Sequence, residues 1–267
     1  PEAAYPLPDM TFKQIVERAG MNKEAMLALS RRFVVGFQAV LLAAAFYFGW
    51  QAFGFTRALL AVLLVSFDPF YFANSRILQP DGFLSAAMLL GLAALLAYVR
   101  RRSKWALLVS AVSAGLGILS KVPGVFLLPV AGLVLAADWW WGQGTGRRQA
   151  KGLVRQAGVY LLWLAVVALT VFALWPSMWV QPGASLQRLM DFTLSASTEV
   201  NSPMFFNGQI VPEGEFGPAY WYYYPLSFLW RTTPVILLGL AGGLAAWRPG
   251  RAQGQKDAHR RFALLVF

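Results

Sequence analysis

Residues 82–102 read GFLSAAMLLGLAALLAYVRRR, eighteen residues without a charge followed by three arginines. A helix rises 1.5 Å per residue, so such a run covers most of a hydrocarbon core about 30 Å thick. The arginines then stop it at one surface. This stretch predicts a membrane span with a charged end, and the same arrangement recurs along the chain.

Outward from it, seven apolar stretches predict spans at about 33–53, 57–73, 82–99, 105–121, 122–141, 158–176 and 226–247. Three basic connections separate them. The first is Arg100, Arg101, Arg102 and Lys104. The second is Arg147, Arg148, Lys151 and Arg155. The third is Arg248, Arg251, Lys256, Arg260 and Arg261. Lys and Arg concentrate in cytoplasmic loops, and the number of spans between successive basic connections is two each time. Hydropathy and charge therefore give one topology, with 1–32, 74–81, the Lys121–Pro123 junction and 177–225 on the opposite, extracytoplasmic face. The expected fold class is all-α, a polytopic transmembrane helical bundle with one long extracytoplasmic loop at 177–225. A basic loop follows at 248–261, and FALLVF at 262–267 reads as the start of a further membrane helix, so the sequence reads as part of a longer protein.

Composition agrees. Hydrophobic residues make up 58% of the chain and charged residues 13%, outside soluble norms on both counts. The net charge of +11 does not indicate nucleic acid, because the cations sit in short connections and not on one soluble face. With no cysteine, disulfides and thiolate sites are excluded, and the single histidine, His259, lies in a basic loop. No metal site or cofactor is called for by these residues, and no Gly-rich phosphate loop or G-x-S-x-G elbow is present. Before the first span, Thr11–Gln14 fits a capping box ahead of a short amphipathic helix or a loop helix, and Asn22 fits the N-cap of the helix leading into the membrane.

Charges at the extracytoplasmic boundary are the candidate chemistry. The turn NSRILQPD at 74–81 carries Arg76 and Asp81, and Pro80 is placed to start the next helix with Asp81 in its first turn. One reading is an Arg–Asp pair that fixes the turn. The other is a guanidinium that holds a phosphate, oriented by the carboxylate. Lys121 ends a span and Arg231 begins one at the same expected depth. Each alone would snorkel to the interface; together with Arg76 they form a site suited to a membrane-bound anion such as a lipid phosphate. Asp68 reads as structural, capping the broken helix ahead of Pro69. The aromatic run Trp221, Tyr222, Tyr223, Tyr224 reads as an interfacial belt or as a stacking surface for a sugar or lipid chain.

The stretches FDPFYFANSRILQPDGFL (67–84), GLGILSKVPGVFLLP (115–129), ALWPSMWVQP (173–182) and FGPAYWYYYPLSFLWRTTP (216–234) resemble bacterial members of the protein O-mannosyltransferase family. These are polyprenyl-phosphate-sugar-dependent glycosyltransferases of the C-type membrane superfamily, and the likeness runs from about Leu29 onward. The resemblance implies a multi-pass cell-membrane enzyme that moves a sugar from a polyprenyl phosphate to an acceptor (protein, lipid or glycan) on the extracytoplasmic face. It implies donor-binding roles for Arg76, Lys121 and Arg231, with Asp81 as a structural or catalytic partner; Tyr222 and Tyr223, in the reading as a stacking surface, are the further candidates for substrate binding. The family's main acidic residue is expected in an external loop upstream of residue 1. Gln79-Pro80 departs from the family's usual apolar pair before the Asp. The rival readings are a lipid-linked substrate transporter or flippase, whose charges would line a path across the membrane, and a non-catalytic binder of anionic lipid. The ionisable residues gather at one face and leave the span centres nearly free, which disfavours a path.

Overall fold

The computed structural model describes residues 22–142, 147–198, 203–212 and 221–246. The expected amphipathic segment before Asn22, the basic loop at 248–261 and the run at 262–267 lie outside the described residues. The chain divides between Leu128 and Pro129 into two compact units.

The first unit opens with α1, Lys23–Phe53, which begins ten residues before the expected span. Asn22 caps it, its Oδ1 accepting the Glu24 N–H at 2.9 Å. Where the sequence predicts one span at 57–73, two helices stand instead. They are α2, Phe55–Ser66, and α3, Pro69–Ser75, bent by 65°. The break has a chemical cause. Pro69 lacks an N–H and starts a new helix, and Asp68 caps it by accepting the Tyr71 N–H at 2.9 Å. Next come α4, Pro80–Arg101, and α5, Lys104–Ser120.

α4 is the buried centre of this unit. Ala86, Ala87, Ala94 and Ala97 have no exposed surface, and Leu41 and Ala45 of α1 pack against Ala86, Ala87 and Leu90. Apolar side chains gain nothing from leaving lipid for protein, so helices associate through close packing of small residues. Gly91 shows it: a Cβ there would lie 3.4 Å from Leu127 and 3.5 Å from the Ser110 carbonyl.

Helix directions follow from three contacts. Arg100 Nη1 donates to the Ala52 carbonyl at 2.6 Å and Arg101 Nε to the Gln51 carbonyl at 3.1 Å, so α1 and α4 end at the same level. Both helices therefore run the same way, and the α2–α3 pair carries the chain back between them. Lys121, just past the end of α5, reaches Asp81 at the start of α4, so α5 runs opposite to α4. The arginine cluster and Asp81 thus stand at opposite ends of a 22-residue helix, about 30 Å apart at 1.5 Å per residue.

After α5 the chain makes a 3₁₀ turn, Val122–Phe126, and continues as α6, Leu127–Gly142. In the second unit α7, Arg147–Leu174, takes in the basic connection that the sequence reading leaves outside its span at 158–176. Trp163 of α7 is buried and stacks on Tyr160, whose ring lies 3.4 Å from where a Cβ on Gly132 of α6 would stand. The buried Asp138 of α6 accepts a hydrogen bond from Gln156 of α7, which gives a buried carboxylate a donor.

The segment expected as a loop at 177–225 carries structure of its own. α8, Ser177–Val180, and α9, Pro182–Thr198, precede a hairpin of β1, Met204–Phe206, and β2, Gln209–Val211. Asn207 and Gly208, with φ of 51° and 81°, supply the two left-handed residues of its turn. α10, Tyr223–Arg231, and α11, Pro234–Ala246, follow. The sequence reading draws one span over 226–247; helical bonding is interrupted there at Thr232–Thr233, ahead of Pro234, which cannot donate.

Candidate active site

Arg76 and Asp81 reach the site through the break in the second span. α3 has seven residues and no buried ones, and two of its side chains satisfy its own carbonyls. Asn74 Nδ2 donates to the Phe70 carbonyl and Ser75 Oγ to the Phe72 carbonyl, both at 2.9 Å. Arg76 is the C-cap, and its guanidinium lies over the Phe72 ring, 5.5 Å from the centroid. Pro80 then opens α4 and puts Asp81 in its first turn, where the helix dipole favours a carboxylate.

Lys121 arrives from the end of α5. Gly117 and Gly124 set its position: a Cβ on Gly124 would fall 2.3 Å from the Gly117 carbonyl carbon, so the 3₁₀ turn folds directly onto the end of α5. Lys121, extended between them, donates from Nζ to Asp81 Oδ1 at 2.7 Å. Forty residues of chain separate the partners, and packing of α5 on α4 closes the gap.

This pairing corrects one reading of the turn. Among the described residues Asp81 pairs with Lys121 and not with Arg76, and Arg76 has no carboxylate within ion-pair distance. The lysine and aspartate side chains are 47% and 38% exposed, so the pair stabilises the fold by no more than about 1 kcal/mol. Its effect is to aim two groups.

Two residues that the sequence reading passes over lie behind the turn. Gln38, in mid-α1, is 2% exposed, and its Oε1 accepts from the Tyr71 hydroxyl at 3.3 Å. Its Nε2 is buried without a partner, an arrangement that costs about 1–3 kcal/mol. The amide fills the space over Gly82, where a Cβ would meet Gln38 Oε1 at 2.8 Å and Ser75 Cα at 3.1 Å. The available signal was a lone amide inside the apolar run VVGFQAVLLAAAFYFG, 34–49.

The remaining candidates belong to the second unit. Phe206, at the end of β1, is buried among Tyr222, Tyr223 and Trp230, with centroids 5.7, 5.0 and 6.2 Å away. The hairpin thus seats on the start of α10, and both tyrosines carry packing there. Tyr222 remains 37% exposed. Arg231 is the exposed last residue of α10. Asn-Gly between two apolar runs was the legible hairpin signal. Among the described residues no three His, Cys, Asp or Glu side chains come together as a metal site.

Helices that cross a membrane, with cations and a carboxylate gathered at the end of one unit, define a polytopic helical membrane protein. The family model for dolichyl-phosphate-mannose-protein mannosyltransferases matches residues 6–181, the larger part of the chain. The chain belongs to this family, and with it to the membrane mannosyltransferases that use a polyprenyl-phosphate-mannose donor. The match takes in Arg76, Asp81 and Lys121; Tyr222, Tyr223 and Arg231 lie beyond its end. No curated protein and no solved structure matches the chain.

Proposed function

We propose that the protein transfers mannose from a polyprenyl phosphate of the cell membrane to an acceptor on the extracytoplasmic face, and that Arg76 holds the donor phosphate. The observation behind this is the division of charge at the end of the first unit. Asp81 is engaged by Lys121, while Arg76, exposed and resting on an aromatic ring, has no carboxylate partner among the described residues.

The chemistry follows from that placement. The acceptor hydroxyl attacks the anomeric carbon, the bond from that carbon to the phosphate oxygen breaks, and the polyprenyl phosphate leaves with the electron pair. Positive charge at the departing phosphate lowers that barrier, and the planar guanidinium offers two donors to its oxygens. Lys121, held by Asp81, is a second cation at the same end of the first unit. A base must take the hydroxyl proton. The main acidic residue is expected upstream of residue 1, as the resemblance implies, and Asp81 is the candidate among the residues of this site. In the second unit Arg231, Tyr222 and Tyr223 form a separate candidate binding group, with a cation for an anion and rings for a sugar or lipid. The basic connections assign the faces: Arg100–Arg102 to the cytoplasm, hence Arg76 and Asp81 to the opposite side.

Turnover of Arg76→Ala is expected to fall about 10²–10³-fold, the scale of losing one preorganised donor to developing charge. Arg76→Lys should recover only part, since the fork is lost. The assay is release of polyprenyl phosphate from labelled polyprenyl-phosphate-mannose in native membranes, which carry the acceptor. Full activity of Arg76→Ala would remove Arg76 from the reaction.

A further inference from the structure

Gln38 presents a contradiction that stability alone does not resolve. One hydroxyl, that of Tyr71, meets an amide with two polar ends, and the end without a partner is buried. Turning the amide over exchanges its oxygen and nitrogen but leaves one end unpaired. An apolar side chain of the same length would fill the space over Gly82 without the unpaired Nε2, and if Tyr71 gave up its hydroxyl as well the exchange would be nearly neutral or stabilising. A buried amide with one end unpaired carries a cost that an apolar residue would not, which points to a use other than packing.

The location says which function. Tyr71 belongs to α3, which ends at Arg76, and Gly82 follows Asp81 in α4. The Gln38 side chain reaches both elements: its Oε1 accepts from the Tyr71 hydroxyl of α3 and lies 2.8 Å from where a Cβ on Gly82 of α4 would stand. It is a spacer with one directional bond, set behind the turn that carries Arg76 and Asp81.

We propose that Gln38 is a positioning residue of the transferase, which through Tyr71 and Gly82 holds α3 against α4 so that Arg76 faces the same phosphate as Lys121. The proposal rests on the reading of Arg76 as the phosphate ligand. Gln38 does not touch the substrate; it acts through the turn. The hydroxyl of Tyr71 fixes the rotation of α3, and the bulk of the amide fixes its distance from α4.

The test compares stability with turnover in the whole protein. Gln38→Met keeps the length and removes the amide. Its kcat for polyprenyl phosphate release from labelled polyprenyl-phosphate-mannose is expected to fall about tenfold or more, while the double variant with Tyr71→Phe, which removes both partners of the bond, should melt no lower in detergent than the parent. Tyr71→Phe should lower kcat in the same direction, and the double variant should be no slower than Gln38→Met alone, because the two act as one device. A lower melting temperature with unchanged kcat would make Gln38 a packing residue and overturn the proposal. Parental values of both, or multiplicative losses in the double variant, would overturn it as well. Arg76→Ala runs beside them. If it is fully active, the phosphate reading falls whatever Gln38 does. If it is slow while Gln38→Met is not, only the positioning role falls.

Discussion

Arg76 and Lys121 are both cations at one end of the first unit, yet only one is engaged by a carboxylate there. That difference sets what each substitution should do. Asp81 orients the Lys121 ammonium, so its effect on donor binding is expected to pass through Lys121. Lys121→Gln should weaken binding of polyprenyl phosphate about 10–100-fold, the worth of one hydrogen bond to a charged group. Asp81→Asn should weaken it less, and adding Asp81→Asn to Lys121→Gln should change binding little further. Titration of the variants with polyprenyl phosphate in detergent checks this, and independent losses would show that Asp81 acts on its own. The sequence made the residue types legible, because charges at a membrane boundary stand out against apolar spans. It did not show who pairs with whom. Arg76 and Asp81 are five residues apart and invited pairing, whereas the true partner of Asp81 lies forty residues on, brought there by packing of α5 on α4.

Breaks between elements do more for the site than the elements themselves. The Asp68-Pro69 break ends one helix and caps another, and so delivers Arg76. The break between α5 and α6 delivers Lys121, and it depends on Gly124 having no side chain. A Cβ there would sit 2.3 Å from the Gly117 carbonyl carbon and 2.5 Å from its oxygen, both backbone atoms that cannot swing aside. Gly124→Ala is therefore expected to shift the 3₁₀ turn and draw Lys121 off Asp81. Donor binding should fall toward the Lys121→Gln level, with a lower melting temperature, since overpacking costs about 1–3 kcal/mol. Gly183→Ala, where a Cβ meets nothing within 4 Å, is the control. If Gly124→Ala binds donor like the parent, the close turn does not position Lys121. The break at Asp68-Pro69 and its cap were readable, but the 65° angle was not, because hydropathy sees only that both halves are apolar. Helices α8 and α9 were missed for a related reason: the Pro and Gly that suggested a loop stand at helix starts, Pro182 among them, where they are tolerated.

At the scale of the whole molecule, the decisive feature is that α1 and α4 run parallel. Arg100 and Arg101 bind the last carbonyls of α1 from the end of α4, so the bent α2–α3 pair must return the chain in between. An odd number of crossings separates Asp81 from Arg100, and α4 itself is that crossing. Charge bias then orients it, because Arg100, Arg101, Arg102 and Lys104 gather at one end. The chain has no cysteine, so single cysteines report sidedness without background. Ser103→Cys, between α4 and α5, should react with a membrane-impermeant maleimide only from the cytoplasmic side. Gln79→Cys, ahead of α4, and Gln209→Cys, in the hairpin, should react only from outside. Reaction of the first two from one side would mean that α4 does not cross. Reaction from opposite sides in the reverse sense would put Arg76 in the cytoplasm, where the charge bias argues it cannot be. The extracytoplasmic reading of the donor site would then have to be given up, although the family assignment, which rests on the match to residues 6–181, would stand.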